Sequence, residues 1–512
     1  MKVFIFRFNS PFLIEVVRRL QENNVEILYW VGSKRFFESV TCDISTFSNT
    51  IFHDTNDAVR GLPAKGVAVS QFPPLSADLI NKMLSCESQV LTMMNAIDWL
   101  GNTPLMKRKR IYYGYMQYWY GVLTTLKPDA VIFGDIPHIA YQYVVYSLAK
   151  LLGIKVVMYR AIQIKGRMIF LNEPERYQKL ETAIKQINGV NFSVDDLQPD
   201  IQAYYQSQTS DDAHSTPFFF KKDYFEGLKK PQQFFPALNI ILKHIRNGTL
   251  LKVIFAYIRS LYRRRTITNL QIFTPSGFAL KRHLRRWAKI KESLKKEYKE
   301  LFIAVDWNKK FIYVPLHNQP EASTSAMGGV FVDQQLMVEL LAAAIPDDWV
   351  IYVKENLLQW VAPRTHVGRY PGYYEELARL KNVYLIPATT SNYELIKKAQ
   401  AVATVTGTPG WEAVLRGKPA LVFGYIWYMY CDGVFRIHDL ASCRIAIDKI
   451  RGGYRPDRQK VINFLKAVDE TSIHGYPNSR FKKGYDLELT EEENIVNIFN
   501  ELCGELGLTF SV

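Results

Sequence analysis

Short apolar runs alternate with amphipathic stretches from the start of the chain. VFIFRF (3–8) and VEILYWV (25–31) flank a helical pattern, and DAVIFG (129–134) and IKVVMY (154–159) flank another. Buried strands separated by amphipathic helices are typical of a parallel sheet. The pattern therefore predicts a Rossmann-like α/β domain over residues 1–165.

A second and more regular α/β series begins at Phe311. Its five apolar runs, each separated from the next by a helical pattern, are FIYVPL, WVIYVKE, VYLIPA, AVATVTG and PALVFG. This series predicts a doubly wound sheet over residues 305–480, with a helical tail over residues 481–512. Ligands of such sheets bind beyond the carboxyl ends of the strands, so chemistry is expected in the loops that follow them.

The segment between the two series, residues 166–304, is predicted to be a linker followed by a basic, mainly helical insertion. Residues 221–300 carry 20 Lys and Arg against 5 Asp and Glu, which equals the net charge of +15 of the whole chain. Residues 240–265 combine apolar positions at helical spacing with basic side chains, a pattern that fits an anionic membrane surface. A helical hairpin packed on the protein, with a solvated basic face, fits equally well. Nucleic acid is disfavoured, because no nucleic-acid-binding motif accompanies the charge.

Composition narrows the class of protein. With 48% apolar and 22% charged residues, the chain is globular. No apolar run approaches the roughly 18 residues of a spanning helix, and the N-terminus lacks the apolar core of a secretory signal. The five cysteines are scattered without a CxxC pair, which argues against a disulfide framework and a zinc site. These features predict a cytoplasmic protein, peripheral on the membrane if residues 240–265 bind lipid.

The strongest chemical signal is AVATVTGTPGWEAVLRGKPALVFG, residues 401–424. A strand ends there and a helix begins, so backbone N–H groups at the helix N-terminus would hold a phosphate. Glu412, in the first turn, would accept hydrogen bonds from a ribose diol. The alternative is an ordinary strand-to-helix turn in which Glu412 only favours the helix dipole. The predicted phosphate cradle consists of Thr406, Gly407, Thr408 and Gly410.

Two further strand ends carry polar side chains. The loop PLHNQPEASTSAMGG, residues 315–329, predicts donor-binding roles for His317, Gln319, Glu321, Ser323 and Thr324. Lys354 and Glu355 end the next strand, where Lys354 would neutralise a departing phosphate. An ordinary solvated pair at a strand end is the alternative.

In the N-terminal domain, FGDIPHIAYQ (133–142) places Asp135 and His138 in a strand-to-helix loop. Either side chain is a competent general base for an acceptor hydroxyl, and either could instead cap the following helix. The sequence has no DxD triplet, HExxH motif or His/Cys cluster, so no metal or other cofactor is predicted.

The runs YVPLHNQPEASTSAMGGVFVDQ, VIYVKEN and TGTPGWEAVLRGKPALVFG together resemble the bacterial capsule and surface-polysaccharide biosynthesis proteins that include the β-Kdo transferases. The resemblance implies a GT-B fold, no obligatory metal, a nucleotide-sugar donor (CMP-Kdo in the best-known members) and a polysaccharide or glycolipid acceptor. The family's glutamine-proline motif falls on Gln319 and Pro320. Its histidine-proline motif is absent, because Asn356 and Leu357 follow Lys354 and Glu355.

The sequence thus predicts a metal-independent GT-B glycosyltransferase. A nucleotide-sugar epimerase of the same architecture is one alternative, although it would need no basic insertion facing a membrane. A non-catalytic carbohydrate-binding or assembly protein is the other, and Asn356 is the residue that favours it.

Overall fold

The computed structural model describes residues 1–40, 47–98, 103–187, 189–210, 277–361 and 365–508. Its strands are β1 (Lys2–Phe6), β2 (Glu26–Gly32), β3 (Ile51–Asp54), β4 (Ala130–Phe133), β5 (Lys155–Ala161), β6 (Arg167–Leu171), β7 (Lys310–Pro315), β8 (Trp349–Lys354), β9 (Val383–Leu385), β10 (Ala401–Thr404), β11 (Ala420–Val422), β12 (Val434–Arg436) and β13 (Ile473–His474).

The helices before the basic segment are α1 (Pro11–Glu22), α2 (Lys34–Val40), α3 (Thr55–Arg60), α4 (Ala77–Lys82), α5 (Leu84–Met93), α6 (Leu105–Leu126), α7 (Ala140–Leu151), α8 (Gln178–Gln186) and α9 (Pro199–Thr209). Those after it are α10 (Gly277–Leu301), α11 (Ala322–Met327), α12 (Gln334–Ala344), α13 (Leu358–Val361), α14 (Tyr373–Ala378), α15 (Asn392–Lys398), α16 (Thr408–Leu415), α17 (Leu440–Arg451), α18 (Arg458–Thr471), α19 (Ser479–Tyr485) and α20 (Glu491–Leu506).

The strands form two sheets. The first has the order β13-β6-β5-β4-β1-β2-β3 and the second the order β12-β11-β10-β7-β8-β9. Pairing is parallel throughout the second sheet. In the first sheet β6 pairs antiparallel with both β5 and β13, and the other strand pairs are parallel. Central strands such as β4 and β10 are buried along their whole length, because helices cover both faces. The predicted fold of two Rossmann-like domains in a GT-B-like arrangement is confirmed.

Two strands of the first sheet lie outside residues 1–165 of the predicted N-terminal domain. β6 and β13 both lie in the first sheet, where Ile473 pairs with Met168. The buried Arg167 guanidinium donates to Asp469 Oδ1 at 3.1 Å and to Asp200 Oδ2 at 2.7 Å. These bonds join the end of α18 to the N-terminal domain. An apolar pattern marks a strand but does not show which sheet the strand joins, so this return of the chain was not predictable.

The predicted linker is partly helical. Residues 199–209 form α9, whose Ile201 and Tyr205 are buried, and the indole Nε1 of Trp411 donates to Tyr204 Oη at 3.0 Å. Residues 211–276 lie outside the described residues, so the membrane interpretation of residues 240–265 stays a prediction. In the described ranges, no helix combines the length and the apolar character needed to cross a membrane.

Candidate functional site

The strand order reverses once in each sheet, between β1 and β4 and between β7 and β10. In open α/β sheets, ligands bind at such reversal points, beyond the carboxyl ends of the strands. The loops after all four strands line a single cleft of about 920 Å³ between the two domains. The first sheet contributes Arg7 and Asp135 to its wall, and the second contributes His317 and Thr406.

Most of the predicted site residues lie on this cleft. Those that line it are Asp135, His138, His317, Glu321, Lys354, Glu355, Thr406, Gly407, Thr408 and Glu412. Gln319, Pro320, Thr324 and Gly410 are not among the lining residues. The side chain of Ser323 lies outside the described part of the structure.

His317 ties the loop after β7 to the loop after β10. Its Nδ1 lies 3.2 Å from Glu321 Oε2, and its Nε2 lies 3.0 Å from Thr404 Oγ1. If Nδ1 carries the proton, Nε2 accepts from the Thr404 hydroxyl, which itself accepts from the Gly407 amide at 3.1 Å. Both ring nitrogens are then occupied. His317 therefore positions the residues that precede α16.

The N-terminus of α16 faces the cleft with donors available. The helix begins at Thr408, and its N-cap residue, Gly407, has no side chain that could accept a hydrogen bond from the first turn. Thr406 is 3% exposed, lines the cleft, and its Oγ1 has no hydrogen-bond partner in the described chain. Pro409 has no N–H, and the Gly410 amide donates to Gly407 O at 3.3 Å, so the Thr408 amide is the backbone donor that remains in this turn. Together with the Thr406 hydroxyl and the positive end of the helix dipole, it suits an oxyanion such as phosphate.

Gly410 and Gln319 shape this wall from behind. A Cβ on Gly410 would lie 2.7 Å from Tyr428 Oη, so glycine is required for packing rather than for approach to a ligand. Gln319 is 7% exposed. Its side-chain Nε2 donates to Thr324 Oγ1 at 2.5 Å, and its backbone N–H donates to Gln359 Oε1 at 2.7 Å. The sequence showed polar residue types here but not the direction of their side chains.

Glu412 and Lys354 are two ionisable residues of the cleft wall that interact electrostatically. Burial raises the pKa of Glu412 to about 7, although Arg416 and Lys354 favour its carboxylate. Burial likewise lowers the pKa of Lys354 to about 8, against the attraction of Glu412. Lys354 Nζ donates to Thr390 O at 2.8 Å. Perturbed pKa values in a cleft are typical of functional sites.

The other charge at the end of β8 is neutralised by a residue that sequence reasoning missed. The Arg369 guanidinium donates to Glu355 at 2.9 and 3.3 Å, and Tyr374 Oη donates to the same carboxylate at 2.6 Å. Arg369 Nη2 also donates to His317 O at 2.9 Å. Arg369 thus holds two cleft loops together. A lone arginine in a polar loop gives no sequence signal for such a role.

Arg7 is a second residue that the sequence analysis missed. It follows β1 with a positive φ of 64°, and its Nη1 lies 2.7 Å from His138 Nε2 and 3.7 Å from Asp135 Oδ2. His138 Nδ1 lies 2.8 Å from Ile136 O, so Nδ1 donates and Nε2 accepts from Arg7. Burial and the charge of Arg7 lower the pKa of His138. The signal available was a charged residue directly after the first strand.

Asn356 occupies the position of the family's histidine and lines the cleft. Its Oδ1 accepts from the Leu358 amide at 3.0 Å, at the start of α13. This bond closes the turn between β8 and the short helix. It is a local structural role, available to asparagine because its side chain readily accepts from a nearby backbone amide.

A family model and one curated relative are both capsule polysaccharide proteins. Residues 246–449 match the family model for capsule polysaccharide biosynthesis proteins. Over 71 residues, 14% of this chain, the sequence is 35% identical to the capsule polysaccharide modification protein LipA of Neisseria meningitidis. That match spans 10% of the length of LipA.

Among solved structures, the β-Kdo 2,7 transferase KpsC of Thermosulfurimonas dismutans is 12% identical, with 98% of this chain and 100% of that chain covered and a TM-score of 0.29. The UDP-GlcNAc 2-epimerase of Neisseria meningitidis is 12% identical, with 99% of each chain covered and a TM-score of 0.21. Scores this low support no conclusion about the present chain. The family match and the LipA match do, and they confirm the resemblance seen in the sequence: residues 246–449 are similar to capsule polysaccharide biosynthesis proteins.

Proposed function

We propose that the protein is a glycosyltransferase that moves a sugar from a nucleotide-activated donor to a polysaccharide or glycolipid acceptor in capsule biosynthesis. One observation carries the proposal: the uncapped N-terminus of α16, with Glu412 in its first two turns, faces Asp135 across one cleft. A phosphate-binding wall opposite a candidate base is the minimum that sugar transfer requires.

On the donor side, the N-terminus of α16 binds the phosphate through the Thr408 amide and the unpartnered Thr406 hydroxyl. Glu412 accepts hydrogen bonds from the ribose diol. Lys354 stabilises the negative charge that develops on the leaving phosphate, where a fixed positive group in a water-poor cleft contributes several kcal/mol. CMP-Kdo, the donor that the family resemblance implies, fits this scheme, and so does any other nucleotide sugar.

On the acceptor side, Asp135 takes the proton of the attacking hydroxyl. His138 is the weaker candidate, because its Nε2 lone pair already accepts from Arg7. Arg7 Nη1 lies 3.7 Å from Asp135 Oδ2 and forms an ion pair with it. Asp135 keeps 43% of its side chain exposed, so a substrate hydroxyl can reach it.

A thermal-shift screen of the full chain against CMP, CDP, UDP and GDP tests the donor side. A ligand at 100 times its Kd adds about 2.7 kcal/mol of stability. We expect a shift with one base class that disappears in Glu412→Ala, each variant being compared with its own unliganded state. Glu375→Ala, on the exposed face of α14, is the matched control and should keep the shift. No shift with any nucleotide would reject the donor site.

A further inference from the structure

The N-terminal wall of the cleft contains a second helix start that lacks a cap. α1 begins after Ser10, whose side chain makes no capping hydrogen bond. Ser10 is 8% exposed, lines the cleft, and its Oγ has no hydrogen-bond partner in the described chain. Buried hydroxyls are nearly always paired, so this one points to a missing partner.

Backbone donors of α1 add to this hydroxyl. Pro11 occupies the first turn and has no N–H, and the Ile14 amide donates to Ser10 O at 3.0 Å. The amides of Phe12 and Leu13 have no acceptor four residues earlier within the helix, and Leu13 lines the cleft. The helix dipole makes this end positive, which favours a negatively charged partner.

Two further donors line the same wall. Tyr159 is 1% exposed, and its Oη has no hydrogen-bond partner among the described residues. Among the described residues, Arg7 reaches His138 and Asp135 through Nη1 alone, so Nη2 and Nε can donate to a ligand. Two hydroxyls, two backbone amides and a guanidinium are thus hydrogen-bond donors at this end of the cleft.

We propose that the start of α1 binds an oxyanion of the substrate, a carboxylate or a phosphate, through Ser10 Oγ, the amides of Phe12 and Leu13, Tyr159 Oη and Arg7. This site is distinct from the phosphate wall at α16. Its assignment to a sugar-transfer substrate rests on the proposed function, whereas the site itself rests on these unpaired donors. The anion belongs either to an acidic acceptor or to an acidic sugar of the donor.

Crystals of the full chain soaked in sodium tungstate test the site directly. We expect an anomalous peak within hydrogen-bond distance of Ser10 Oγ. Ser10→Asp places a carboxylate in the site and should remove the peak while the helix stays folded, since aspartate is a favoured N-cap. Ser76→Asp is the matched control: Ser76 already caps α4, accepts from the Leu79 amide and lies away from the cleft. That variant should keep the peak.

A wild-type crystal without tungstate at Ser10, or a peak that persists in Ser10→Asp, would overturn the proposal. A peak at Ser10 without one at Thr406–Thr408 would support it and count only against the donor-phosphate site. The two proposals can therefore fail separately.

Calorimetry with two matched pairs of ligands distinguishes the sources of the anion. If the acceptor carries the anion, Ser10→Asp lowers the affinity for a uronate disaccharide about tenfold or more. The affinity for the carboxyl-reduced form of the same disaccharide stays unchanged. If the donor sugar carries the anion, the variant lowers the affinity for CMP-N-acetylneuraminate by a similar factor and leaves the affinity for CMP unchanged. If all four affinities match the wild type, the site serves no substrate and the proposal is wrong.

Discussion

Replacing Glu412 with glutamine should stabilise the protein in a pH-dependent way. Burial raises the pKa of Glu412 from 4.5 to about 7. Below pH 4.5 the carboxyl is protonated in both the folded and the unfolded chain, so it carries no penalty. As the pH rises from 4.5 to 7 the unfolded chain ionises first, and the stability of the folded state falls. Above pH 7 the full penalty is present.

The pKa difference corresponds to about 3 kcal/mol at most. The real gain is smaller, because the carboxylate also raises the pKa of Lys354, and glutamine removes that support. We therefore expect Glu412→Gln to raise the free energy of unfolding by about 1–2 kcal/mol near pH 8 and to leave it unchanged near pH 4.5.

Urea unfolding of the wild type and Glu412→Gln at both pH values measures this difference. Glu375→Gln is the control, because Glu375 is exposed and only pairs with Arg379 one helical turn away. If the two variants change stability equally at both pH values, Glu412 is not held at an energetic cost, and the argument for a functional carboxylate loses its main support.

Two further predictions concern the other charges of the cleft. Arg369→Met leaves the Glu355 carboxylate buried without its positively charged partner and should lower the free energy of unfolding by about 3–5 kcal/mol. Adding Glu355→Gln to the same chain should restore much of this loss. If the effects of the two substitutions in urea unfolding are simply additive, the two residues are not coupled. Asp135→Ala should reduce turnover by about 10²–10⁴-fold while the thermal shift with nucleotide is retained. Undiminished turnover in that variant would transfer the role of base to His138.

The fold was predictable because its signals are local. Apolar strands and amphipathic helices can be recognised one at a time, and parallel strands joined by helices leave few topologies. The strand-to-helix turn between Thr406 and Glu412 was predictable for the same reason, because the end of the strand, the glycines and the start of the helix are adjacent in sequence. Loops after parallel strands share one edge of a sheet, so their polar residues could be assigned to a common cleft.

Orientation and partnership were decided only by the tertiary structure. Gln319 and Thr324 are as polar as their neighbours, yet both point into the protein and bond to each other. Arg7 and His138 are 131 positions apart, and their contact depends on β1 and β4 pairing in register.

The sequence by itself determined two α/β domains, the basic segment between them, and the chemical character of the strand-end loops. The tertiary structure decided that β13 joins the first sheet, that Arg369 neutralises Glu355, and that the Ser10 hydroxyl has no hydrogen-bond partner among the described residues. The physical reason is that strand and helix patterns arise from neighbouring residues. Burial, charge pairing and hydrogen-bond satisfaction depend instead on groups brought together from distant parts of the chain.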